Sequence, residues 1–405
     1  MSKTAALMLV LVFLIVSCIS TAHLVSAVSA DSWVTKEPMH HARMRLGVAV
    51  VNKKIYAIGG DDLSLTGNVL SPEMGYGKIL GTNEEYDPAT GMWTFKTSMP
   101  TPRTSFGIAV YKNKIYCIGG YIGNGSVTAV NEAYDPATDT WETEASMPTA
   151  RSLPGANIVA GKIYLVGGRV GTYAYQSTLA NEVYDPDSDS WTTKTPAPIR
   201  ITSLGSTVFN NKIYFIATRS IKENPAQGGL TLTYDPFADR WSIGKPSPTY
   251  GSACAIGVAS GANDSKGIYF FDESATYKYD PITENWTNYT SMSTARGYCG
   301  AAVLNDKIYV IGGIFAPYEG YIVMTNSATT NEQYTPIGHG EPDLPTPSPS
   351  PTASSSTSSS PTAMFSPEPA STSEHFPTVP VVVASVASGV VVTGGLLFYF
   401  KKRKR

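Results

Sequence analysis

The sequence predicts an all-β chain whose folded part is six four-stranded sheets set radially and closed by the chain's own N-terminal strand. Three observations predict it. A short apolar strand motif returns at a period of about 50 residues; a Tyr and a Trp follow it at fixed spacing; and a lone Trp near the front keeps the register of the others.

The strand motif reads "KIYAIGG" (54–60), "KIYCIGG" (114–120), "KIYLVGG" (162–168) and "KIYVIGG" (307–313), with worn copies "KIYFIAT" (212–218) and "GIYFFDE" (267–273). Each is followed by a Tyr-x-Pro, at Tyr86, Tyr134, Tyr184, Tyr234, Tyr279 and Tyr334. Five of these tyrosines have a Trp seven residues later: Trp93, Trp141, Trp191, Trp241 and Trp286. The sixth, Trp33, stands ten residues before Arg43, as Trp93 does before Arg103, Trp141 before Arg151 and Trp286 before Arg296. In a ring, the strand holding Trp33 becomes the outermost strand of the last sheet and leaves no open edge where the ends meet.

In these residues the chain resembles the kelch family: Gly-Gly after an apolar strand, at Gly59-Gly60, Gly119-Gly120, Gly167-Gly168 and Gly312-Gly313, then the spaced Tyr and Trp. The resemblance covers about residues 31–338 and implies a six-bladed β-propeller. The Gly-His and Trp-Asp signature of the shorter WD40 repeats is missing.

The first, second, third and sixth copies share an Arg ten residues after the Trp and a Glu two before the Tyr (Glu84, Glu132, Glu182, Glu332). The fourth and fifth lose Gly-Gly, Arg and Glu together, with Arg200 one place out of register. Joint loss points to an Arg–Glu contact; a ring of ligand-binding arginines is the sharper alternative.

With antiparallel strands a to d in each blade, the a–b and c–d turns share one face and the b–c and d–a loops the other. The former are brief. The b–c loops vary, from "DDLSLTGNVLSPEMGYGKILGT" (61–82) to almost nothing in the fifth copy. Unequal loops on a rigid scaffold are where recognition usually sits. The candidate ligand-binding residues are therefore Tyr76, Tyr121, Arg169, Tyr173, Tyr175, Arg219, Phe315, Tyr318 and Tyr321, the aromatic and Arg types that dominate contact hot spots and suit sugar rings. Their alternative role is packing within their own loops.

No cofactor, metal or catalytic residue is expected. The five histidines form no ligand-spaced cluster, and His40-His41 are expected to face opposite ways in a strand. No nucleophile elbow or Cys–His pair stands out, and nothing matches the copper site of galactose oxidase, which shares the kelch-type propeller. The net charge of −2 argues against a nucleic-acid partner.

The ends carry their own signals. Residues 1–30 read as a signal peptide: Lys3, an apolar run Ala5 to Ile19, and Val28-Ser29-Ala30 or Val25-Ser26-Ala27 as the cleavage site, with an uncleaved anchor as the alternative. The propeller is assigned to 31–340, and a Pro/Ser/Thr-rich stalk to 341–378. Residues 379–400 carry no charge and span about 33 Å as a helix, enough for a membrane. The cationic 401–405 then stays cytoplasmic. Ser385, Gly389 and Thr393 form a small-residue stripe compatible with dimers. The expectation is a single-pass type I protein of the cell membrane with its propeller outside. Asn124, Asn263, Asn285 and Asn288 begin glycosylation sequons. Cys117, Cys254 and Cys299 are read as buried free thiols, with a 254–299 bridge as the alternative.

The function expected is a surface-displayed module binding a protein or glycan through the b–c/d–a face. The resemblance also admits a carbohydrate-active enzyme, since some kelch propellers isomerise sialic acids. A structural envelope protein is the third reading.

Overall fold

In the computed structural model the described residues are 31–63, 77–123, 125–171, 176–201, 205–218, 229–248, 255–259, 267–315 and 327–337. They form six antiparallel four-stranded sheets. Blade 1 comprises strands a (Gly47–Val51), b (Lys54–Ile58), c (Asn83–Asp87) and d (Met92–Lys96), and blades 2 to 5 follow in chain order. Blade 6 is composite: Gly300–Leu304, Lys307–Ile311 and Asn331–Thr335 are completed by Ser32–Lys36 from the N-terminal side. The closing strand stands where the Trp33 register requires it.

Local chemistry explains the strand ends. The a–b hairpins turn on two residues that both have positive φ, as at Asn52-Lys53, Lys112-Asn113 and Asn305-Asp306, a backbone whose twist matches the flanking strands. In the c–d turns the Asp of Tyr-Asp-Pro accepts a backbone N–H two residues on: Ala89 to Asp87, Ala137 to Asp135 and Ile282 to Asp280. Gly-Gly ends strand b because the chain there runs against the next blade. A Cβ on Gly119, at φ +67°, would lie 2.6 Å from the Arg151 carbonyl oxygen, and the Gly120 N–H donates to that same oxygen. Where Ala217-Thr218 replaces Gly-Gly, strand b runs on to Thr218.

The spaced Tyr and Trp are direct cross-strand partners between strands c and d in every blade. Trp33 pairs with Tyr334. Ring centroids lie 4.8 to 5.1 Å apart in all six pairs. The Tyr of each "IY" reaches the Tyr-x-Pro tyrosine of the next blade, from Tyr56–Tyr134 at 5.9 Å to Tyr309–Tyr86 at 6.2 Å, which closes the circuit. Six hydrophobic clusters accordingly lie between blades, one per interface.

Indole N–H groups tie the outer strands together. Trp93, Trp141, Trp191, Trp241 and Trp33 donate to the carbonyls of Glu37, Thr97, Ala145, Thr195 and Thr290, each four residues past the preceding Trp. The Trp286 N–H is buried without such an acceptor. Strand d of blade 4 shifts register opposite Gly229–Thr231, which displaces the carbonyl that would serve it.

Two expectations need correction. His40 and His41 lie outside any strand and converge: both rings pack on Phe95, and the backbone N–H and Nδ1 of His40 meet Glu84 Oε2 at 2.9 and 2.8 Å. Cys299 is disulfide-bonded, its partner outside the described residues, while Cys117 is a buried free thiol. Cys254 is outside the described residues. No helix among the described residues is long and apolar enough to cross a membrane, and residues 379–400 lie outside them.

Candidate functional site: the channel mouth

The repeated arginines are not a binding surface. Arg43, Arg103, Arg151 and Arg296 are fully buried, each spanning its own blade. One guanidinium nitrogen meets the Glu two before the Tyr: Arg43 with Glu84, Arg103 with Glu132, Arg151 with Glu182 and Arg296 with Glu332. Nη2 also donates to a strand-b carbonyl, at Ala57, Cys117, Leu165 and Val310. Burial pulls the Arg43 guanidinium down to about 10, with Glu84 opposing, so it remains cationic at neutral pH. In blade 4 the two positions hold Ile201 and Leu232, both buried in one apolar cluster. An ion pair has been exchanged whole for an apolar pair, which is why Arg and Glu vanish together.

Two residues beyond each Arg position the chain enters strand a at the central axis. Arg45, Ser105, Leu153 and Tyr298 occupy this place in blades 1, 2, 3 and 6, all with φ between +53° and +57°. Their backbones are linked blade to blade: Arg45 N–H to Tyr298 O at 2.8 Å, Ser105 N–H to Arg45 O at 3.0 Å, and Leu153 N–H to Ser105 O at 2.7 Å. The backbone repeats, while each side chain differs.

These four residues line a cavity of about 230 Å³ in the channel, together with the first residues of strands a, among them Gly47, Gly107, Gly155 and Ser206. The Arg45 guanidinium lies 4.8 Å from the Tyr298 ring centroid and 3.1 Å from Asp61 Oδ2. Asp61 is fully buried and also accepts from Thr104 Oγ1 at 2.7 Å and the Gly77 N–H at 3.0 Å. Arg45 is thereby fixed as a positioned cation on the rim. The described lining residues include no carboxylate or imidazole. Among the described residues no group of three or more His, Cys, Asp or Glu is placed to hold a metal.

The loop residues singled out from sequence fare differently. Tyr121 is buried and its hydroxyl accepts the Gly125 N–H, packing its own loop. Arg169 is buried, its backbone bridged to Ser152 and Ser177. Phe315 is 37% exposed, opposite Arg296 in a short ladder. Tyr76, Tyr173, Tyr175, Arg219, Tyr318 and Tyr321 lie outside the described residues, as do Asn124 and Asn263. Asn285 and Asn288 are exposed on strand d of blade 5. Sequence reasoning missed Arg45, Ser105, Leu153 and Tyr298. Their signal is a fixed place twelve residues after each Trp with a different residue in each copy.

The Kelch motif family matches residues 42–100, 102–148, 150–198 and 295–334, the four copies that keep the buried Arg–Glu pair. Mouse Kelch-like protein 28 is 31% identical over 93 residues, 23% of this chain and 15% of that protein. The influenza virus NS1A-binding protein homolog of Xenopus laevis is 38% identical over 86 residues, 21% of this chain and 11% of that protein. The chain thus spans less than a sixth of the length of these curated relatives. The solved structure of YjhT superposes with a TM-score of 0.55 at 14% identity, covering 73% of this chain and 95% of that one, a likeness of fold. This chain is a kelch-repeat β-propeller.

Proposed function

We propose that this propeller is a recognition module that binds a partner at the channel mouth and surrounding loops of its b–c/d–a face. The observation that carries the reading is the rim itself: one repeated backbone position, bonded blade to blade, presents Arg45, Ser105, Leu153 and Tyr298 around a cavity. A rigid frame with unlike side chains is how a propeller gains specificity without changing its fold. The cavity admits a side chain or a single sugar unit, and the positioned cation beside an aromatic face favours an acidic protein segment or an acidic glycan. The relatives' names, a binding protein among them, agree with an interaction role.

The signal-peptide pattern, the stalk and the uncharged run 379–400 support display of this face outside a cell membrane. An isomerase would need an acid–base pair from loop residues beyond the described lining. Screening the chain against glycans and cell-surface protein extracts tests the proposal. The ligand retained by the wild type should be lost on Ser105→Arg, which fills the mouth, with cooperative thermal unfolding retained. A ligand held equally by both would refute the channel mouth as the site.

A further inference from the structure

The opposite face carries a feature that recognition at the mouth does not use. In the c–d turns, the residue after Tyr-x-Pro is Ala89, Ala137 and Asp187 in blades 1 to 3. In blades 4, 5 and 6 it is Phe237, Ile282 and Ile337, which are 71%, 74% and 38% exposed. Met92, the first residue of strand d of blade 1, is 65% exposed. The four residues thus follow one another around the ring, through blades 4, 5, 6 and 1. Blades 2 and 3 present Thr140 and Ser190 where blade 1 has Met92.

We infer that this arc rests on a lipid surface. The shared register sets Phe237, Ile282 and Ile337 at one height, one blade apart. Apolar side chains spaced in this way make no groove for a peptide, but together they meet a flat apolar boundary. The chain also leaves the last blade at Ile337, in the middle of the arc, and its sequence continues to the uncharged 379–400 and the cationic 401–405. Three lysines of this face are paired, Lys212 with Asp235, Lys54 with Asp87 and Lys162 with Asp185. Resting on this face turns the channel mouth away from the bilayer. The inference rests on the reading of residues 379–400 as a membrane anchor.

The test uses the full chain in phosphatidylcholine vesicles, with spin labels introduced singly through Phe237→Cys, Ile282→Cys and, in the same register of blade 2, Ala137→Cys. Labels at 237 and 282 should lose collisions with a water-soluble nickel chelate and gain collisions with oxygen, while the label at 137 stays open to nickel. A chain that floats with the vesicles while all three labels respond alike overturns the lipid contact and leaves the anchor standing. A chain that does not float with them overturns the anchor and this inference together.

Discussion

Trp33 and Tyr334, from opposite ends of the described chain, face each other across two strands with ring centroids 5.1 Å apart, as the five pairs within continuous blades do. Asp31 completes the joint. Its carboxylate accepts the Tyr334 hydroxyl and the Thr290 N–H, both at 2.9 Å, as Asp139 accepts Tyr134 and Thr97. Removing residues 31–39 strips these bonds and bares the edge of Asn331–Thr335. Trp33→Ala should therefore lower stability by about 3 kcal/mol, and deletion of 31–39 should abolish cooperative unfolding. Loss of residues 347–378 should do neither; thermal unfolding of the three variants checks this.

Arg151→Ile alone should cost about 3–5 kcal/mol, because it leaves the Glu182 carboxylate buried without its cation. Adding Glu182→Leu copies the Ile201 and Leu232 of blade 4 and should recover most of the loss. Denaturant titrations of both single variants and the double variant measure the coupling.

A Tyr–Asp bond and buried tyrosines make stability depend on pH at the acid and alkaline ends of the scale respectively. The Tyr234 hydroxyl holds Asp239 below the usual carboxylate range, against its desolvation. A depressed carboxylate stabilises above its unfolded value of about 3.9 and loses that contribution as pH falls through the folded value. Burial pushes Tyr86 and Tyr279 up to about 12. Raised tyrosines stabilise fully below an unfolded value of about 10, and that contribution is lost as pH rises. Unfolding midpoints should be flat between these limits and fall outside them, with core tyrosinate absorbance appearing only on alkaline unfolding.

Burial pushes the Cys117 thiol up to about 12. In the native chain Cys117 should resist alkylation. In denaturant it should label without a reductant, whereas Cys299 should label only after reduction. Mass spectrometry of the labelled peptides distinguishes the two sites.

Most of the fold was legible because its stabilising contacts repeat. A Tyr and a Trp seven residues apart are the two sides of one c–d hairpin, and the joint loss of Arg and Glu in copies four and five marks a buried pair. The channel mouth was hidden for the opposite reason. Arg45, Ser105, Leu153 and Tyr298 share a backbone conformation but no chemistry, so a search for repeated residues passes over them. Tyr121 and Arg169 looked exposed because they follow Gly-Gly into a loop. The ladders to Thr104 and Ser152 draw that loop's first residue under the surface.

Affinity for the ligand retained by the wild-type chain, measured for one variant on each face, tests the proposed recognition role most directly. Leu153→Arg at the channel mouth should weaken binding by at least about tenfold, roughly 1.4 kcal/mol, while Phe237→Ser on the opposite face leaves it unchanged. Equal affinities for both variants, or loss confined to Phe237→Ser, would contradict recognition through the channel mouth.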